Sequence, residues 1–366
     1  MKVESLCASD LKAIRFLPVA FVMLSGCLTN LLPPPVQRSV ERTSFPRPPV
    51  LSTPIEPAPL NLCPVQTTSA SGAETALAVT VTDASGAAIK DLRPGDFLVY
   101  FQGLRLKIDR VTDSGTQPTS IVVVVDSSLS MNLRLEEVQR GLNGFLNSLS
   151  ACDEVALIAI GGSGLQSDAT VTVIQPFTTD KALAATRLQE LEAWGRPALY
   201  DATSQGISLL DKAHYPSRAL LILGAGMESG STIEKDQILH DLRKDGFRFY
   251  AVGIGDPNAS KSPSVFVGTL AALPGGAVKA VNADRLKEMA GAAGGYAVIV
   301  PSTSQDGGKA LFDAVSKIAG AIGQTYVIEV AVPKSGSQLT GLPNVSVPSR
   351  PDAFIHVYSL QTAANP

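Results

Sequence analysis

Ile121-Val122-Val123-Val124-Val125-Asp126-Ser127-Ser128-Leu129-Ser130 runs an unbroken β-branched segment straight into Asp-x-Ser-x-Ser. Apolar residues without polar alternation suit the centre of a parallel sheet covered on both faces. Ligand sites of such sheets lie just beyond the carboxyl ends of the strands. The reading therefore places Asp126, Ser128 and Ser130 together at one sheet edge. There a carboxylate and two hydroxyls could offer oxygen to a hard cation such as Mg²⁺.

Downstream, strand and helix patterns alternate. Leu135, Val138, Leu142, Phe145, Leu146 and Leu149 follow helical spacing, and Val155–Ile160 and Thr170–Ile174 read as strands. Helical stretches are expected near 180–192, 200–213 and 232–244, with strands at Ala219–Leu223 and Phe247–Ile254. A short helix at Asp284–Ala293, a strand at Tyr296–Val300 and a closing helix through Leu311, Val315, Ile318 and Ile322 complete the series. This order predicts an α/β fold, a doubly wound sheet with helices on both faces.

Before it, Ala76–Asp83 alternates as a half-buried strand, and Leu98–Phe101, the Gln102-Gly103 turn and Leu104–Val111 continue as antiparallel strands with one apolar face. That face needs a second layer. Thr325–Val332 and Ala353–Tyr358 are strand-like, and the expectation is that they join the early strands in one small flanking β-sandwich. The resulting division is 1–27 signal segment, 28–70 Pro-rich linker, 71–116 β segment, 117–323 α/β domain and 324–366 C-terminal β segment.

The Asp-x-Ser-x-Ser strand resembles the first loop of a metal-ion-dependent adhesion site in a von Willebrand factor A domain. The chain is similar to VWFA-related proteins of the acidobacterial type. The resemblance runs through Cys152-Asp153-Glu154-Val155-Ala156-Leu157, Pro176-Phe177-Thr178-Thr179-Asp180, Ala198-Leu199-Tyr200-Asp201-Ala202, Ala292-Ala293-Gly294-Gly295 and Gln324-Thr325-Tyr326. It implies five metal-binding side chains, of which Asp126, Ser128 and Ser130 match. The fourth, a Thr, corresponds to Pro197; the fifth, an Asp, corresponds to Ala225. Mg²⁺ demands near-octahedral oxygen ligation, so no cofactor is expected beyond weak Mg²⁺. Adhesion through a residual Mg²⁺ site is the alternative. Without metal, Asp126, Ser128 and Ser130 would cap the next helix and tie the loops together.

The expected activity is non-enzymatic: a protein-interaction module for adhesion or assembly, with an unidentified protein ligand. Its top-face loops supply Trp194, Arg196 and Glu228 as partner-binding candidates, since aromatic and Arg side chains anchor interfaces. Trp194 packing inward is the competing reading. Gly224-Ala225-Gly226-Met227-Glu228-Ser229-Gly230 follows a strand and has some likeness to a dinucleotide-binding turn, though one residue too long and on a middle strand. Gly161-Gly162-Ser163-Gly164 lacks the flanks of a nucleophile elbow. The three histidines are isolated in sequence, with no acid partner identifiable. A net charge of −3 with scattered Lys and Arg gives no nucleic-acid footprint.

The amino terminus reads as an address. Lys2, Lys12 and Arg15 precede the apolar run Phe16–Leu24, which is too short to span a bilayer but fits a signal-peptide core. Leu24-Ser25-Gly26-Cys27 resembles a bacterial lipobox, implying diacylation of Cys27. With Leu28 following, the expectation is an outer-membrane lipoprotein of the bacterial cell envelope, with plain secretion or a periplasmic location as the alternative. Residues 28–70 contain Pro33-Pro34-Pro35 and Pro46-Arg47-Pro48-Pro49, an extended spacer. After export Cys63 and Cys152 could pair, but the expectation is two unpaired thiols.

Overall fold

A computed structural model describes residues 60–64, 74–113, 117–161, 171–244, 246–259, 280–301, 308–331 and 342–359. The lipobox and Cys27, nearly all of the Pro-rich linker and the Gly162–Gly164 loop lie outside them.

The centre is a six-stranded sheet. Its strands are β5 (Thr119–Asp126), β6 (Glu154–Ile160), β7 (Val171–Thr178), β8 (Ser217–Gly224), β9 (Arg248–Ile254) and β10 (Tyr296–Val300). They lie in the order β10-β9-β8-β5-β6-β7. All neighbours are parallel except β7, which runs antiparallel to β6 at the edge. The β-branched run of β5 is central, and every residue of it is buried. Ile121, Val123 and Val125 belong to the core under α1 (Leu135–Ser148), α2 (Lys181–Gln189) and α6 (Lys309–Gly323). Val122 and Val124 belong to the opposite core, under α3 (Leu199–Leu210), α4 (Lys235–Leu242) and α5 (Ala283–Ala292). Successive strand residues face opposite ways, so the unbroken apolar run feeds both helical layers. After β5 the chain adds β6 on one side and β8 on the other. The carboxyl end of β5 is therefore the switch point where such sheets hold ligands.

Two antiparallel sheets flank this unit. One has the order β13-β1-β11-β4, from β1 (Glu74–Thr82), β4 (Ile108–Asp113), β11 (Tyr326–Ala331) and β13 (Phe354–Ser359). The other has the order β12-β2-β3, from β2 (Leu98–Phe101), β3 (Leu104–Leu106) and β12 (Asn344–Ser346). Leu77, Val79 and Val81 of β1 share a core with Phe97, Val99, Leu106, Tyr326, Ile328, Val330 and Val345, so both sheets bury one apolar face. The opposite face of β1 meets the α/β unit. There the Arg248 guanidinium donates to Thr80 Oγ1 (3.1 Å), Ser217 Oγ (2.7 Å) and the Ile322 carbonyl at the end of α6 (3.0 Å). A cation suits a helix carboxyl terminus.

Three local readings are corrected. Leu104–Val111 is not one strand: it breaks at Lys107, and β3 and β4 enter different sheets. An alternating pattern fixes which side chains point inward, not which sheet receives them. Cys63 and Cys152 are joined in a disulfide across a sequence separation of 89. The segment bearing Cys63 is seated there, with Asn61 N donating to Thr179 Oγ1 (3.2 Å) and Cys63 N to the Tyr215 hydroxyl (2.9 Å). His214, isolated in sequence, has an acid partner: its Nδ1 lies 2.8 Å from Oε2 of the fully buried Glu154. Glu154 Oε1 also accepts from Ser120 Oγ (2.5 Å) and the His214 amide (2.9 Å). The serine bonds the acid rather than the imidazole, which is not the arrangement of a nucleophilic triad.

Candidate functional site

Asp126 ends β5, and its side chain leans over the end of β8. A Cβ built on Gly224 would lie 2.3 Å from Asp126 Cβ, so only glycine leaves this room. Asp126 Oδ1 accepts the Ser128 amide (3.0 Å), closing an Asx turn, and Oδ2 accepts the Ala225 amide (3.2 Å). The carboxylate is 3% exposed. Burial pushes its pKa above the usual carboxylate value, while the hydrogen bonds from Ser128 and Ala225 and the charge of Arg134 pull it back.

Ser128 and Ser130 do come together beside it, with their hydroxyls 2.8 Å apart. Neither serine nor Asp126 caps α1, contrary to one expectation. A 3-10 turn, Leu129–Met131, intervenes, and α1 begins after Arg134 with no side-chain cap. The intervening residues Ser127 and Leu129 tie the loops together instead. Ser127 N and Oγ donate to the Ile160 carbonyl at the end of β6 (2.8 and 3.0 Å). Trp194 N donates to the Ser127 carbonyl (2.8 Å) and Leu129 N to the Gly195 carbonyl (3.1 Å).

Arg134 escaped the sequence reading. It is 2% exposed. Its guanidinium donates to the Ser130 carbonyl (3.0 Å) and to the Ile254 carbonyl at the end of β9. It thus fixes the Asp-x-Ser-x-Ser loop against the sheet and sets a positive charge near Asp126. The available signal was a charge one turn before Val138, in line with the apolar stripe of α1 but just ahead of its first residue.

The other two positions, Pro197 and Ala225, have no side-chain oxygen. Pro197 is half-buried, and its carbonyl accepts Ser229 N (3.0 Å). Ala225 is buried among the core residues that include Met131, Leu223 and Val252. Asp126, Ser128 and Ser130 thus bring one carboxylate and two hydroxyls together. Among the described residues no group of three or more His, Cys, Asp or Glu is placed to hold a metal.

The partner-binding candidates separate. Arg196 is exposed and Trp194 half-buried. Glu228 is engaged within the chain. Its Oε1 accepts the amides of Gly230 and Ser231 (both 2.8 Å), and its Oε2 accepts the Tyr200 amide (3.0 Å) and Ser231 Oγ (2.7 Å). It closes the amino terminus of α3, where unpaired amides favour an acid. Arg285 of α5 adds a strut, donating to the Tyr200 hydroxyl (3.0 Å) and the Gly226 carbonyl (2.7 Å).

The glycine turn is explained by the same packing. Gly226, at φ +63°, has Leu286 and the Asn282 carbonyl where a Cβ would go, and Gly224 has Asp126. The amides that a pyrophosphate would need point at Glu228, and α4 starts only at Lys235. These glycines admit protein atoms rather than a nucleotide.

The strand order and the two helical layers make a doubly wound α/β unit. The family model for the von Willebrand factor type A domain matches residues 121–226 of it. Among solved structures, the chain is similar to the BatB protein of Bacteroides thetaiotaomicron (20% identity, covering 55% of this chain and 98% of that one, TM-score 0.41). It is also similar to a von Willebrand factor type A protein of Catenulispora acidiphila (12% identity, 73% and 67% covered, TM-score 0.43). A third is the vWF domain of the type V pili tip protein Mfa5 of Porphyromonas gingivalis (10% identity, 57% and 96% covered, TM-score 0.40). A comparison with curated proteins finds no match.

Proposed function

We propose that this protein is a non-enzymatic, metal-independent protein-interaction module of the bacterial cell envelope. In this reading residues 117–323 form the recognition domain, held between the β segments 71–116 and 324–366. Diacylated Cys27 and the Pro-rich 28–70 segment attach it to the outer membrane. The binding surface is the top face of the α/β sheet, with Arg196 and Trp194 as contacts and Glu228 as an organiser of the loop.

The observation that carries the reading is the state of Asp126. Both of its oxygens already accept main-chain amides, and the neighbouring hydroxyls bond one another. A cation would compete with these bonds for the same oxygens, and Pro197 and Ala225 bring no side-chain oxygen to add to them. Mg²⁺ needs near-octahedral oxygen ligation and parts with water reluctantly, so this donor set does not fit it. A preformed, internally satisfied loop face can instead meet a protein directly.

The test is a thermal melt of the purified protein with and without 10 mM MgCl₂, with crosslinking capture from intact envelopes. The midpoint is expected to stay within about 1 °C, because a ligand that does not bind the native state adds no stability. Capture of a partner is expected in EDTA as well as in Mg²⁺, and to weaken with Arg196→Ala. A Mg²⁺-dependent rise that Asp126→Ala abolishes would establish metal-dependent adhesion instead.

A further inference from the structure

We propose that the Cys63–Cys152 bridge makes β6 the strand through which force passes between the chain's attached amino-terminal side and the top face, leaving the β-sandwich outside that path. The proposal rests on the reading that the segment before residue 60 is the attached end.

The argument is one of covalent order. Cys152 lies two residues before β6, at the amino-terminal edge of the sheet. At the other end of β6, the Ile160 carbonyl receives Ser127 N and Ser127 Oγ, and the Ser127 carbonyl receives Trp194 N. Tension entering at residue 60 therefore reaches Cys63, crosses the sulfur bridge and runs along β6, β7 and α2 to the loop that bears Trp194 and Arg196. Without the bridge it would follow the backbone through β1, β2, β3 and β4 before reaching β5. β1 is an interior strand, paired on one side with β11 and on the other with β13. Pulling on it would open the sandwich core. The contacts of Asn61 and Cys63 with Thr179 and Tyr215, and the packing of Leu60 on the α3 side of the core, brace the entry point. Hydrogen bonds yield singly; the covalent bridge does not.

The experiment is single-molecule stretching of the full chain. One handle is placed at the amino terminus and the other on an azide-bearing residue replacing Arg196, which is exposed. In the oxidised protein, complete extension past Cys63 should release only the chain between Cys152 and residue 196, about 155 Å at ~3.5 Å per residue. After reduction, or in Cys63→Ser/Cys152→Ser, it should release the chain from residue 63 to 196, about 465 Å at the same rise. An early low-force step from the sandwich is expected only without the bridge. The oxidised protein should first yield at the higher force.

A long release from the oxidised protein, or equal first-yield forces with and without the bridge, would overturn the proposal. Reduction of the native chain keeps the test valid if the serine variant does not fold. Neither partner nor Mg²⁺ enters the measurement. Failure to capture a partner would defeat the functional reading while leaving the step lengths unchanged.

Discussion

Gly224 and Asp126 occupy what is nearly one volume: a Cβ on Gly224 would sit 2.3 Å from Asp126 Cβ and 2.8 Å from its Oδ2. Adjacent parallel strands thus meet at a point where one has a side chain and the other cannot. Gly224→Ala should cost about 1–3 kcal/mol, as inserting a methyl into a packed site does. Gly95→Ala, with nothing within 4 Å of the new carbon, should be close to neutral. Urea denaturation of the two variants checks both values.

Glu228 holds the Tyr200 amide and the turn at Gly230-Ser231. Glu228→Ala leaves several of these donors without a partner and should destabilise by roughly 1–3 kcal/mol. Arg196→Ala should leave the melting temperature unchanged. Both should weaken partner capture, the first by loosening the loop and the second by removing a contact. Paired melts and crosslinking yields separate the two roles.

His356 faces the α/β unit from β13, opposite Thr80 and near Arg248. Its pKa is lowered to about 3 by burial, with a smaller contribution from the Arg248 charge. An imidazole kept neutral in the fold binds its proton only when unfolded. Its contribution to stability is complete above pH 6.5 and is lost as pH falls toward 3. His356→Gln should therefore flatten the acid limb, losing less stability than the native chain between pH 6.5 and 4.5. Denaturation midpoints across that range decide it.

The Cys63–Cys152 bridge spans a separation of 89 residues. Constraining so long a loop in the unfolded chain is worth roughly 4–5 kcal/mol on the chain-entropy account. Cys152→Ser paired with Cys63→Ser should lower the urea midpoint accordingly, and reduction of the native protein should reproduce that loss.

Much of the frame was legible because hydrophobic periodicity is local. The run Ile121–Val125, short and β-branched throughout, read as a strand covered on both sides, and its position placed Asp126, Ser128 and Ser130 at a sheet edge. The alternation in Ala76–Val81 and Tyr326–Val330 marked two strands with one apolar face each. The same periodicity could not separate β3 from β4 at Lys107, since a strand's inward pattern is blind to its neighbour.

The sequence alone determined the strand-and-helix order, the loop that gathers one carboxylate and two hydroxyls, and the absence of side-chain oxygen at Pro197 and Ala225. Only the tertiary structure decided where charges and sulfurs found their counterparts. Glu228 turned to α3, Arg134 reached the end of β9, His214 met Glu154, and Cys63 met Cys152. Each of these pairings except Arg134's tie to Ser130 joins positions 28 or more residues apart. Such contacts depend on how packed layers bring distant chain segments together, and no local pattern of residues encodes that distance.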